Sequence, residues 1–219
     1  GDGFNTTASF VHTVNGKRID SELTVKLESN QVRVLSIYTA SILAKDITPT
    51  CTLEDGSKIA CNSYKRTGVT DVQMDLKNRI VSPDNPVVIR YKYSQPVDSE
   101  MSFNFPSFLL DAKTTDVKIL IPKSMGEYTW ASENVTSKQI SGNYFEVIFN
   151  NPIQQQISLF FTKDIQYEFK ISRVFSNQTE QGAQTFELVV PSDTQSQSII
   201  WQDISPLPTS AIIDRKSVV

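Results

Sequence analysis

The chain has 219 residues, a formal net charge of −3, 39% hydrophobic and 21% charged side chains, which suits an ordinary globular protein with one large β domain or two modest ones. Its lysines and arginines are scattered rather than striped, which argues against a nucleic-acid partner. No apolar run reaches the ~18 residues a membrane helix needs. No charged-then-apolar leader opens the sequence, so any signal peptide lies outside it.

Taken in chain order, nearly every regular segment repeats with a period of two. Phe10-Val-His-Thr-Val14 predicts a strand holding His12, the single histidine. Leu23, Val25 and Leu27 predict the next. Tyr38 to Leu43 breaks strict alternation, which fits either a buried central strand or a β-bulge. Ile89, Tyr91 and Tyr93 alternate with Arg90 and Lys92. The stretch from Met101 to Ala112 is the least regular apolar segment and reads as a loop packing its aromatics under itself. Val117, Ile119 and Ile121, then Phe145, Val147 and Phe149, then Ile157, Leu159 and Phe161 continue the strand series. A boundary falls near Thr162-Lys163-Asp164. Beyond it, Tyr167, Phe169 and Ile171 restart the pattern, Ser176 to Gly182 forms a polar loop, and Phe186, Leu188 and Val190 alternate again. Turn signals separate the strands at Asn15-Gly16, Asp55-Gly56, Ser82 to Pro86 and Ser141-Gly-Asn143. Many short strands with frequent turns predict antiparallel sheets, each burying one face.

The residues that could do chemistry are few. One histidine removes the usual zinc constellations. No Gly-x-Ser-x-Gly elbow and no glycine-rich phosphate loop occurs. Asp111 and Asp116 flank Lys113-Thr-Thr115 without the spacing of a calcium loop and read as solvated carboxylates. No metal site and no cofactor is expected. An enzyme built on His12 and a cysteine is arithmetically possible, although His12 sits in a strand pattern. Trp130, with Tyr128 and Trp201, could stack on sugar rings; in a sandwich such rings more often fill the core. Sequons at Asn5, Asn134 and Asn177 are about as many as chance produces.

The two cysteines, Cys51 and Cys61, flank Asp55-Gly56, whose chemistry predicts a hairpin turn. A two-residue turn would place Cys51 one position off Cys61. A three-residue loop centred on Gly56 would set them opposite, close enough for a disulfide. The expectation is a hairpin clasp between Cys51 and Cys61, and with it an oxidising compartment. A catalytic thiolate would want a helix N-terminus or a cation, which a hairpin does not supply by itself.

Several stretches in order carry a family likeness. These are Val25-Lys-Leu27-Glu-Ser-Asn30 with Tyr38-Thr-Ala-Ser-Ile, Leu53-Glu-Asp-Gly56, Met74-Asp-Leu76, Val88-Ile-Arg-Tyr91 and Ile119-Leu-Ile-Pro122. The most specific is Phe186-Glu-Leu-Val-Val-Pro191-Ser-Asp-Thr-Gln-Ser-Gln197 with Ile204-Ser-Pro206-Leu-Pro208. Together they resemble the N-terminal, non-catalytic β region of bacterial cell-envelope proteins that carry a transglutaminase-like domain. In that family the catalytic Cys, His and Asp follow in that order further downstream. Here His12 precedes both cysteines, so the resemblance carries over no catalytic residue. It implies an accessory region that positions an enzyme or a membrane anchor beyond Val219, and the tail from Ile212 to Val219 reads as continuing.

The sequence therefore predicts an all-β chain: an antiparallel β-sandwich over residues 1–163, and a smaller, Ig-like or partial-sandwich β unit over 164–219. It predicts a non-catalytic, extracytoplasmic module whose partner is a protein or its own downstream domain. The alternative is a carbohydrate-binding sandwich using Trp130 and Tyr128.

Overall fold

The computed structural model describes residues 3–97, 99, 101–161, 170–176, 182, 185–186, 188–190, 199–200, 204–206 and 208. The chain divides into two units, Gly1–Gln166 and Tyr167–Val219.

The first unit is built of strands because its apolar residues alternate and glycines punctuate them. The first three are β1 (Asn5–Asn15), β2 (Arg18–Glu28) and β3 (Arg33–Ile42). Next come β4 (Thr50–Leu53), β5 (Lys58–Ile59), β6 (Cys61–Arg66) and β7 (Val69–Val81). Then follow β8 (Val87–Pro96), β9 (Ser102–Pro106) and β10 (Thr114–Pro122). The last are β11 (Trp130–Ala131), β12 (Ser137–Ser141), β13 (Tyr144–Asn150) and β14 (Gln156–Phe160). Among the described residues the helical content is one 3₁₀ turn, Lys123–Met125.

Eight strands form one sheet in the order β12-β13-β10-β1-β2-β8-β4-β5. Two three-stranded sheets, β11-β14-β9 and β3-β7-β6, complete the unit. Every pairing is antiparallel except β1 with β10. The long hairpin β1–β2 closes through Gly16, whose φ of 61° suits the left-handed turn position that glycine adopts without steric cost.

Alternation decides which face is dry. Ala8, Phe10, His12 and Val14 on β1 are buried, as are Ile19, Leu23, Val25 and Leu27 on β2. Val87, Ile89, Tyr91 and Tyr93 on β8 and Val117, Ile119 and Ile121 on β10 extend the same face. Val72 and Met74 of β7, Phe103 and Phe105 of β9, and Ile157 and Leu159 of β14 cover it from the small sheets. The apolar residues among these belong to one core. Each fully buried aliphatic or aromatic side chain there contributes about 1.5–3 kcal/mol relative to exposure. The architecture is an all-β sandwich.

Two segments differ from the sequence reading. Met101 to Ala112 contains a strand, β9, where a loop was expected. Phe103 and Phe105 alternate with Asn104 and bury both rings, and Pro106 is tolerated because β9 is an edge. Of the stretch Tyr38 to Leu43, Tyr38 to Ile42 belong to β3, which is an edge strand rather than a central one; the irregularity lies earlier, between Leu35 and Ile37. Lys77 and Asn78 on β7, both with positive φ, stand opposite that irregularity. Asp75 accepts the Lys77 backbone N–H at 2.8 Å, and the Ser36 hydroxyl donates to Asn78 at 2.6 Å.

In the second unit, Tyr167 and Phe169 lie outside the described residues. Ile171, Phe186, Leu188 and Val190, read from the sequence as strand residues, form no strand and remain exposed. They meet no paired strand among the described residues of this unit. The rings of Phe175 and Phe186 pack together with centroids 4.6 Å apart.

Candidate functional site

Cys51 and Cys61 are bonded to each other, with Cα atoms 6.3 Å apart. The bond is not the hairpin clasp expected from the sequence. The loop between β4 and β5 has three residues, Glu54-Asp55-Gly56, rather than one centred on Gly56. The Leu53 N–H donates to the Ser57 carbonyl at 3.0 Å, and the Gly56 N–H donates back to the Leu53 carbonyl at 3.0 Å. Asp55 sets this register by accepting both the N–H and the hydroxyl of Ser57, at 2.9 and 2.6 Å. Gly56, with φ of 81°, closes the loop as its last residue. Cys51 therefore pairs with Ile59, and Cys61 starts β6 on the other side of Ala60. β4 belongs to the eight-stranded sheet and β6 to the three-stranded sheet with β3 and β7. The disulfide staples one sheet to another at the corner where the chain crosses between them.

His12 makes a second tie between sheets. It is fully buried, and its Nε2 lies 2.7 Å from the carbonyl of Pro106 on β9. A carbonyl only accepts, so Nε2 carries the proton and Nδ1 accepts from the Ser21 hydroxyl at 2.7 Å. The ring stacks on Phe10 at 5.4 Å and meets Phe105 at 5.5 Å. Burial pushes the pKa of His12 down to about 4, against a smaller upward pull from the Pro106 carbonyl. The imidazole is thus neutral at physiological pH, enclosed, and spent on two structural hydrogen bonds. No cysteine–histidine pair forms, because both sulfurs are bonded to each other. Nearby on β8, the hydroxyl of Tyr91 is buried without a hydrogen-bond partner among the described residues, while the Tyr93 phenol, opposite Ser21 in register, meets the Ser21 side chain. Burial raises both phenols above their ordinary acidity range.

The two candidate stacking residues find different partners. Trp130 on β11 is 54% exposed and meets Phe160 edge-on at 5.3 Å. Tyr128 packs partly against the core, and the Lys138 ammonium lies 5.7 Å from its ring centroid. Lys138 is held there by Glu127 at 3.0 Å, which keeps its pKa above the ordinary lysine value. Trp130 thus offers an open ring face, while a cation covers a face of Tyr128. Trp201 lies outside the described residues.

Asp116 accepts the Asn151 backbone N–H at 3.2 Å, and Asp111 occupies an exposed loop position with φ of 69°. Among the described residues no three His, Cys, Asp or Glu side chains gather as a metal site. No described helix is long and apolar enough to cross a membrane.

One surface feature escaped the sequence reading. Val32, Val34, Ile37 and Ile80 are 55–71% exposed around the outer side of β3 and β7, with Val34 paired to Ile80. The signal was present in Val32-Arg33-Val34-Leu35-Ser36-Ile37, where apolar residues occupy both parities of one strand. A strand that must bury only one face has no need of the second set.

No protein-family model and no curated protein matches the sequence. Among solved structures, the chain is similar to an M1 zinc metallopeptidase from Deinococcus radiodurans. The TM-score is 0.48 at 13% identity over 73% of this chain and 43% of that one. A variant of a two-domain M1 zinc metallopeptidase bound to L-tryptophan gives a TM-score of 0.49 at 13% identity, over 73% and 43%. The chain spans less than half the length of these neighbours, and a likeness this slight carries neither fold nor activity across.

Proposed function

We propose that this chain is a non-catalytic, extracytoplasmic β-sandwich module that works through protein contact, as an accessory region of a cell-envelope protein. The observation that carries the reading is the Cys51–Cys61 bridge between two sheets. Such bonds persist where the compartment is oxidising and are kept reduced in an ordinary cytosol. The placement of His12 supports the non-catalytic part, since its imidazole is buried and already partnered. The resemblance to the β region of transglutaminase-like envelope proteins supports an enzyme domain on the same polypeptide, with the sandwich holding it in place.

The test is labelling of intact cells that express the full polypeptide, with a membrane-impermeant amine reagent. Exposed lysines such as Lys65 and Lys92 should be modified before lysis. Modification only after lysis contradicts the reading.

A second reading, binding of carbohydrate, is favoured by the exposed ring of Trp130. A saccharide bound there should perturb indole fluorescence and lose its affinity in Trp130→Ala. An unchanged affinity in that variant removes this reading.

A further inference from the structure

We infer that the open edge of β3 is a docking site for an extended, acidic segment of a partner protein, which adds to the three-stranded sheet as a fourth strand. The inference rests on the protein-contact reading above and names the surface and the chemistry of the partner. β3 ends the order β3-β7-β6, so its far side has no strand partner among the described residues. Only its last residue, Ile42, is taken, by a bridge to Leu109. The open part runs from Arg33 towards Thr39. An edge strand presents unpaired N–H and C=O groups at alternate residues, a ready ladder for an incoming chain.

The space for that chain exists. A shallow groove of about 490 Å³ is lined by Arg33, Val34, Leu35, Ser36 and Ile37 together with Phe4. A groove along consecutive residues of one strand is what a neighbour about 4.8 Å away requires. Natural sandwiches commonly protect such edges with charges, prolines or bulges; β3 has no proline, and Arg33 is its single charge. It carries a bulge after Leu35, but Val34 and Ile37 beside it remain exposed and apolar.

Charge selects the partner. Arg33 and Lys77 are exposed, Arg33 just before the Leu35–Ile37 irregularity and Lys77 opposite it, and neither is in an ion pair among the described residues. Arg79, paired with Leu35, is offset by the Asp55 carboxylate, whose pKa it helps to lower, which leaves Arg33 and Lys77 as the cations of the edge. Asp75, paired with Ile37, is the acid within the same stretch of register. A local excess of positive charge in a chain of net charge −3 attracts acidic side chains and repels basic ones. A segment alternating acidic with β-branched residues would set its carboxylates near Arg33 and Lys77 and its apolar face beside Val34, Ile37 and Ile80.

The probe is the capped peptide Asp-Val-Glu-Val-Asp-Val-Glu, titrated against the full chain at low salt. Two controls accompany it: one with every acid replaced by lysine, and one with its central valine replaced by proline, which cannot sustain the ladder. Saturable binding of the acidic peptide is expected, weakened about tenfold or more by Arg33→Glu with Lys77→Glu, and lost with the proline peptide. Both substitutions are at exposed side chains, and an unchanged thermal melt confirms that the fold is intact. No binding of the acidic peptide, equal binding of the lysine or proline control, or indifference to the charge reversals overturns the inference. Concentration-dependent dimerisation abolished by the same substitutions also overturns it, assigning the edge to a second copy of the chain. None of these results bears on the compartment, so intact-cell labelling stands or falls separately.

Discussion

Cys51 and Cys61 are ten positions apart in sequence, and each belongs to a different sheet of the same sandwich. The bond between them holds the crossing at Ala60 and closes the small sheet against the large one. Closing a loop of this length should stabilise by about 2–3 kcal/mol. Cys51→Ala with Cys61→Ala should therefore lower the free energy of unfolding by no more than that amount from loop closure, measured by urea titration. The buried half of the pair, Cys51, adds a small packing loss.

The buried imidazole ties stability to pH. His12 titrates near 6.5 when unfolded and about 4 when folded. Between those values the unfolded chain binds the extra proton, so stability falls as pH drops through this window and levels off below it. The loss should be about 3 kcal/mol by denaturant titration. Asp20 and Asp71 are held below the usual carboxylate range, Asp20 chiefly by the Ser94 hydroxyl and Asp71 chiefly by Arg66. Their contribution is present above the ordinary aspartate value and disappears at still lower pH, so the two steps separate. His12→Leu should flatten the upper step and strand the Ser21 hydroxyl and Pro106 carbonyl, at about 1–3 kcal/mol each.

The unpartnered phenol predicts a gain. Tyr91→Phe removes a buried hydroxyl with no hydrogen-bond partner among the described residues. In urea titration it should leave stability unchanged or raise it by about 1–2 kcal/mol, whereas Tyr93→Phe, which takes a partner from Ser21, should bring no gain. A loss of stability in Tyr91→Phe would show a hydrogen bond that the geometry does not contain.

Two aromatics should differ sharply by position, the smaller costing more. Phe105→Ala empties the buried face between sheets and should cost about 3–5 kcal/mol. Trp130→Ala removes an exposed ring that meets Phe160 edge-on, and should cost less than about 1.5 kcal/mol. Thermal melts of the two variants make the comparison.

Much of the sandwich was legible because a one-sided sheet writes its burial as alternation. Leu23, Val25 and Leu27, or Val117, Ile119 and Ile121, point inwards as their spacing says. Which sheet a strand joins is not written there. Asp55-Gly56 announced a turn, yet whether Gly56 is the middle or the last loop residue depends on hydrogen bonds that Ser57 donates to Asp55. That one-residue difference moved Cys61 from the same hairpin to another sheet. His12 likewise read as a strand residue, but its partner, the Pro106 carbonyl, lies ninety-four positions away, beyond any local pattern. The aromatic stretch at Phe103 and Phe105 was obscured by the proline beside it, since Pro106 is acceptable only on an edge. Trp130 was visible as a residue, but its exposure depends on pairing with Phe160.

The compartment and the crossing between sheets meet in one bond, so the state of that bond is the most direct measurement. The chain should be recovered from the cells that make it, with thiols blocked by alkylation at the moment of lysis, then digested without reduction and mapped by mass spectrometry. The account predicts no alkylated cysteine and a cross-linked fragment joining Cys51 to Cys61. Two alkylated cysteines in that material would contradict it.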